Sequence, residues 1–275
     1  MRLLRLAGIT GAAFALSLVA GGALTPAQTA TGAERVLPDL VQILPGKVGI
    51  AHRSSARGTR TLLTFDSSAE NHGTGPLIIR GSRPDRTTTT MRADQLIRHT
   101  DDSLDRVRGV GALSFYRSRD HRHWHLARFM SYELRTRAGT SLRRDRKAGF
   151  CLGDRYDAKP EVQFGEPAGT VYESRCGLNR PDLTRLTQGI SVGYGDRYEA
   201  RLEGQYIDIT GLASGRYVLI HRTNPDGRLL ERTADNNVAS MLVRIVRTGS
   251  RTSAKILGWC RGESCPAPTE RRSFP

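Results

Sequence analysis

Three of the seven histidines fall in one run, Asp120-His121-Arg122-His123-Trp124-His125. Alternate side chains of an extended chain point to one side, so the three imidazoles face one volume. In a straight strand the outer two α-carbons would stand about 13 Å apart, whereas metal–nitrogen bonds measure about 2 Å. The segment must therefore bend or twist if His121, His123 and His125 are to hold one ion. Imidazole suits copper and zinc, and three nitrogen ligands leave a position open for water or oxygen. Three histidines alone do not decide between those metals. The non-metal alternative is a solvated polar strand.

These residues need a scaffold, and the sequence describes one made of strands. Thr59–Thr64, Gly75–Arg80, Phe129–Arg135, Gln205–Thr210, Arg216–His221 and Val238–Val246 are rich in β-branched or large apolar residues, and Gly, Pro, Asn or Asp bound them. Tyr217, Leu219 and His221 alternate with Val218, Ile220 and Arg222, the period of a strand. Gly 29 and Pro 12 favour turns over long helices. Met91–Leu96 and Arg180–Leu186 read as single helical turns. The expected fold is all-β: one β-sandwich over residues 36–248, with long irregular loops and few short helical turns. Residues 249–275 read as a basic, Pro-containing tail closed by a small disulfide loop.

Arg2 and Arg5 precede an uncharged run from Leu6 to Leu24, and Ala27, Ala30 and Ala33 follow it. That order of basic, apolar and small residues reads as a secretory signal over residues 1–30. The expected location is extracellular, with no stable membrane association after cleavage. A retained anchor is the alternative, since such a run could just span a bilayer. Four cysteines in an exported chain favour two disulfides. Their order suggests Cys151–Cys176 and Cys260–Cys265, with two other pairings open. The charge balance is 42 − 27 = +15, which attracts acidic partners in a salt-dependent way. It does not by itself imply nucleic-acid binding, and none is expected.

The chain resembles the lysyl oxidase family. That family's copper motif is His-x-His-x-His with an aromatic residue before the last His, as in His123-Trp124-His125. Lys147-Ala148-Gly149-Phe150-Cys151-Leu152 is similar to the segment holding the family's cofactor lysine. Gln188-Gly189-Ile190-Ser191, followed by Asp196 and Tyr198, is similar to the segment holding its cofactor tyrosine. Leu37-Pro38-Asp39-Leu40-Val41, Gln205-Tyr206-Ile207-Asp208-Ile209-Thr210, Gly215-Arg216-Tyr217 and Asn236-Asn237-Val238 match further family text. The resemblance implies that copper and oxygen convert the Tyr198 ring to a quinone, to which the Lys147 amine adds, giving lysine tyrosylquinone. It also implies that a primary amine or lysyl side chain, with O2 and water, becomes an aldehyde, ammonia and hydrogen peroxide. Without it, Lys147 would be one more solvated basic residue and Tyr198 a half-buried strand aromatic.

Departures from the family pattern carry expectations of their own. Asp120, Tyr194 and Gly204 stand where animal members have cysteines, so several family disulfides are absent. Cys151 and Cys176 each match a family Cys whose usual partner is missing, and the resemblance is compatible with their pairing with one another instead. A family histidine after the copper motif falls on Ser131 or Tyr132, so the proton-abstracting base is not carried over. Asp196 is the candidate for that role, because burial can tune a carboxylate upward. A calcium site is implied at Asp39, the Leu40 carbonyl, Glu231, Asp235, Asn236 and Asn237, although one ligand position falls on Thr233. The substrate expected from the charge is a lysine on an acidic protein. Two other functions compete: a three-His zinc hydrolase, and a non-catalytic basic protein that binds cell wall or polyanions.

Overall fold

The alternation over 217–222 does produce a strand, but Tyr217 through His221 are all buried, so both faces of it are covered. Such a strand lies inside a sheet, and the neighbours that cover it come from distant parts of the chain. The computed structural model describes residues 32–118, 121–145, 149–158, 165–173 and 175–266. Among these, eighteen strands and no helix occur. The first nine are β1 (Arg35–Val36), β2 (Leu40–Gln42), β3 (Val48–Ser55), β4 (Gly58–Phe65), β5 (Ser67–Asn71), β6 (Leu77–Ser82), β7 (Thr90–His99), β8 (Leu104–Phe115) and β9 (Trp124–Leu126). The rest are β10 (Met130–Thr136), β11 (Ser141–Arg144), β12 (Tyr156–Asp157), β13 (Arg185–Ile190), β14 (Tyr194–Tyr198), β15 (Tyr206–Asp208), β16 (Gly215–Thr223), β17 (Val238–Thr248) and β18 (Arg251–Arg261).

All pair antiparallel, in four sheets rather than the two of a simple sandwich. One runs β13-β6-β7-β8-β9 with β1 on β7, and a second runs β11-β10-β16-β17-β18. The third is β12-β14-β5-β2 and the fourth β15-β4-β3. Their inner faces share a core built on Phe65, Trp124, Phe129, Tyr132 and Phe150. These aromatics are the largest of its fully buried side chains; truncating one to Ala typically costs about 3–5 kcal/mol.

All six segments read as strands lie on strands. The two expected helical turns do not form. Met91–Leu96 lies inside β7, held between β6 and β8. Its good helix formers yield to long-range pairing, which buries Met91 and Ala93. Arg180–Leu186 is a turn that runs into the start of β13. Residues 251–261, expected to open a tail, form β18 along the whole of β17, from Thr248↔Arg251 to Ala239↔Arg261. The reason is a second small core. Val218, Ile220 and Leu242 face away from the main core, and Leu257, Cys260 and Cys265 cover them. The Cys260–Cys265 bridge closes that cover. The expected signal segment, residues 1–30, lies outside the described residues.

Candidate metal centre

The histidine run does bend. Only Trp124–Leu126 is strand, and the chain turns at His123 on its way into β9. Each side of the run is pinned by a different loop. Tyr116 N donates to His123 O at 2.9 Å, and Ser118 N to His121 O at 2.9 Å. On the other side Trp124 N donates to Cys176 O at 2.9 Å, and Asn179 N to Arg122 O at 2.7 Å. The result brings one donor nitrogen from each of His121, His123 and His125 within 4.8 Å of one another. Two ligands on one ion stand at most about 4 Å apart, so a small rotation of the rings closes the set. His125 is buried, and its ring stacks on Tyr116 at 4.5 Å between centroids. The donor set is all imidazole, which fits copper or zinc. Among the described residues it is the only such cluster of His, Cys, Asp or Glu. Asp120 and Lys147 lie outside the described residues.

The segment after Lys147 leads from the triad to Tyr198. A Cβ on Gly149 would meet His125 Cβ at 2.7 Å, so only glycine permits this approach. Phe150 then exchanges both backbone hydrogen bonds with Leu126, at 2.8 and 2.9 Å. The Phe150 ring packs against the Tyr198 ring at 4.9 Å. Next, Cys151 O accepts the Tyr198 hydroxyl at 2.9 Å. The Cys151–Cys176 disulfide joins this segment to the loop that holds Trp124. The four described and expected half-cystines are thus paired as their order suggested, and none is free.

Tyr198 and Asp196 stand two apart on β14 and so share a face. The phenol donates to Asp196 Oδ2 at 2.6 Å, and Arg155 Nε to Oδ1 at 2.5 Å. Asp196 is 0% exposed. Burial pushes its carboxyl up to about 6, against the pull of Arg155 and the phenol. Burial also holds the Tyr198 phenol well above its usual value, with the Asp196 charge adding to it. A cleft of about 390 Å3 is lined by Arg155, Tyr156 and Arg197, the first of which bonds Asp196. It shares Arg201 and Leu202 with a cleft of about 640 Å3 that reaches Ser118, three residues before His121.

Sequence reasoning missed Arg155, Tyr116 and His221. Tyr132, one of the two positions on which the family histidine was expected to fall, lies opposite His221 in register. His221 is fully buried, its Nδ1 3.0 Å from Ser67 Oγ, and burial lowers it to about 3, so it stays neutral. The alternation in β16 marked it as inward-facing, which was the available signal.

Most residues of the expected calcium site do converge. Glu231 accepts from Leu40 N at 3.0 Å and from Asn224 and Asn237 side chains at 2.6 Å each. Asn236 Nδ2 donates to Asp39 Oδ1 at 2.8 Å. Asn236 Oδ1 and Asn237 Oδ1 are buried and without a hydrogen-bond partner among the described residues. Those are hard oxygen donors of the kind calcium takes. Asp235 is exposed, and its backbone N–H bonds Thr233.

The all-β scaffold thus carries three imidazoles with donor nitrogens within 4.8 Å of one another and, linked to them through residues 149–151, a buried Tyr–Asp–Arg cluster. Comparison with known proteins makes the class specific. The family model described as lysyl oxidase matches residues 85–254, more than half the chain. Human lysyl oxidase homolog 1 is 34% identical over 140 residues, covering 50% of this chain and 22% of that protein. Lysyl oxidase homolog 2 of Xenopus laevis is 29% identical over 163 residues, covering 57% and 19%. The chain thus spans about a fifth of the length of these relatives. It belongs to the lysyl oxidase family. Among the described residues no helix is long and apolar enough to cross a membrane.

Proposed function

We propose that this chain is a secreted, copper- and quinone-dependent amine oxidase. It converts a primary amine, from peptidyl lysine or a related compound, with O2 and water into an aldehyde, ammonia and hydrogen peroxide. One observation carries the reading. The three residues Gly149, Phe150 and Cys151 touch His125, pair with Leu126 and accept the Tyr198 hydroxyl, in that order. A single short segment, starting two residues after Lys147, therefore links the triad to the tyrosine.

His121, His123 and His125 would hold copper, and Lys147 with Tyr198 would supply lysine tyrosylquinone. When present, these groups provide oxygen chemistry and an electron sink for the amine. The chain's own residues do the rest. Asp196, raised to about 6, is mostly ionised at neutral pH and takes a proton at Oδ2. Arg155 holds Oδ1 and keeps the carboxylate aimed at position 198. Burial of both Asp196 and Tyr198 keeps bulk water from the reacting centre. The cleft lined by Arg155 and Tyr156 is the approach for the amine. Asp39, the Leu40 carbonyl, Glu231, Asp235, Asn236 and Asn237 would hold calcium and tie β2 to the loop before β17. The +15 charge supports lysines on acidic proteins as substrates.

The test combines peptide mass mapping of copper-loaded, exported protein with amine-dependent peroxide release over a panel of amines and lysyl peptides. A covalent Lys147–Tyr198 peptide and peroxide release are expected. Separate Lys147 and Tyr198 peptides, with no peroxide from any amine, would refute the reading. Bound zinc in that case would favour a three-His hydrolase.

A further inference from the structure

We propose that Arg83 is a positioning residue of the metal centre, acting through the indole of Trp124. Arg83 follows β6 directly and precedes the segment 85–254 that the family model matches. Its side chain is buried, with the residue 9% exposed. The guanidinium donates to three carbonyls: Nε to Leu183 O at 2.8 Å, Nη1 to Thr88 O at 2.7 Å, and Nη2 to Pro181 O at 2.5 Å. All three acceptors are neutral. Taking a cation out of water for neutral partners is costly, so the arrangement has to return something. The guanidinium carbon lies 4.8 Å from the centroid of the Trp124 ring, a cation–π contact.

Trp124 stands between His123 and His125, and its side chain points away from theirs. The indole is held on three sides. Arg83 covers its face, Arg180 O accepts its Nε1–H at 2.9 Å, and a Cβ on Gly177 would meet Cδ1 at 3.1 Å. β9 pairs with β8 from Phe115↔Trp124 to Leu113↔Leu126, and the chain bends at His123 just before it. The grip on the Trp124 indole holds the first residue of that strand, between His123 and His125, and so fixes the direction in which those two rings point. Arg83 also ties the 181–184 turn to the loop at Thr88, through its side chain and through Arg83 N to Thr184 O at 3.0 Å. The planar fork reaches three carbonyls while lying flat on a ring; a lysine ammonium has no such geometry.

The inference rests on the copper reading for its metal readout only. Arg83→Ala and Arg83→Lys are made in a Trp259→Phe background, which leaves Trp124 as the one tryptophan of the two. Copper affinity is measured by chelator competition, and amide exchange is followed over residues 121–126. Each is repeated with guanidinium chloride at tens of millimolar and with ammonium chloride at equal ionic strength. Losing a residue that orients a metal ligand typically costs about 10–100-fold in affinity. Arg83→Ala should show that loss, faster exchange at 123–126 and blue- or red-shifted Trp124 emission. Guanidinium should restore all three and ammonium should not. General loosening of the fold would be worsened by guanidinium, so recovery separates positioning from bulk stability. Wild-type copper affinity and exchange in Arg83→Ala, or loss without recovery by guanidinium, overturns the proposal. If Arg83→Ala does not fold, Arg83→Lys decides: a tenfold or larger loss supports the proposal and wild-type affinity overturns it. If the parent protein binds no copper, the proposed function fails, and exchange at 123–126 in Arg83→Lys still decides the role of Arg83.

Discussion

Replacing Tyr198 by Phe removes one oxygen from a site with almost no solvent contact, where Tyr198 is 4% and Asp196 0% exposed. The single phenol proton lies between two acceptors, and the shorter contact, 2.6 Å, goes to the Asp196 carboxylate. A hydrogen bond to a charged group is worth about 1.5–3 kcal/mol. Taking about 2 kcal/mol, its loss lifts the Asp196 carboxyl by roughly 1.5 pH units, from about 6 to above neutrality. The sign follows from linkage. Asp196 already has a raised value in the folded protein, so its contribution to stability is full below the unfolded value and fades as pH rises through about 6. In the variant that fading continues to higher pH. At pH 5 both proteins hold Asp196 protonated and differ little; at pH 8 they differ by about 2 kcal/mol. For a domain of this size that is a melting deficit of roughly 4–8 °C at pH 8. Thermal denaturation of copper-free protein at the two pH values measures it without interference from the cofactor. Peroxide release by copper-loaded protein should be abolished. An equal deficit at pH 5 and pH 8 would refute the phenol–carboxylate argument. Near wild-type amine oxidation by the variant would refute the role of Tyr198 as cofactor source.

Gly149→Ala places a Cβ 2.7 Å from His125 Cβ and 2.9 Å from Leu126 O, so the backbone must shift; expect about 1–3 kcal/mol lost in urea unfolding and weaker copper binding. Removing the Cys151–Cys176 bridge frees a loop with a sequence separation of 25, and the paired Ser variant should lose about 3–4 kcal/mol, read from the urea midpoint. Asp196→Asn should abolish the limb of kcat/KM that rises with pH as the Asp196 carboxyl ionises and lower the rate by about 100-fold or more; a rising limb that persists would assign it to another group. Alanine at His121, His123 or His125 singly should remove most bound copper, measured by metal analysis after dialysis. Full occupancy in all three would sink the triad.

How much of this was legible depends on whether a residue's partner is local. The triad could be read directly, because alternation alone put three imidazoles on one side. Asp196 and Tyr198 were legible only through the family resemblance; taken alone, Tyr198 reads as a half-buried strand aromatic. Arg155 and Tyr116 were not, since each reaches its partner through a loop with no period: 149–155 for the first, 116–118 for the second. β16 and β17 announced themselves through apolar runs. Met91–Leu96 misled because Met, Arg, Ala, Gln and Leu favour helix locally, while the pairing of β7 with β6 and β8 decides the outcome. β18 was hidden by its basic, half-exposed composition; only its pairing with β17 makes it a strand.

The order in which strands sit in the sheets sets a timetable for the growing chain. β6 lies between β7 and β13, so its second edge stays open until residue 190 has been made. β5 waits for β14, and β10 for β16. The last clasp joins the two ends: Trp259 Nε1 donates to Pro45 O at 2.7 Å. Half-made chains therefore carry long unpaired edges, the species most given to association. Closing such distant contacts is slow. Recombinant yield should then be governed by synthesis rate and temperature more than by the stability of the finished domain, and truncation before residue 259 should give aggregate rather than a smaller folded protein.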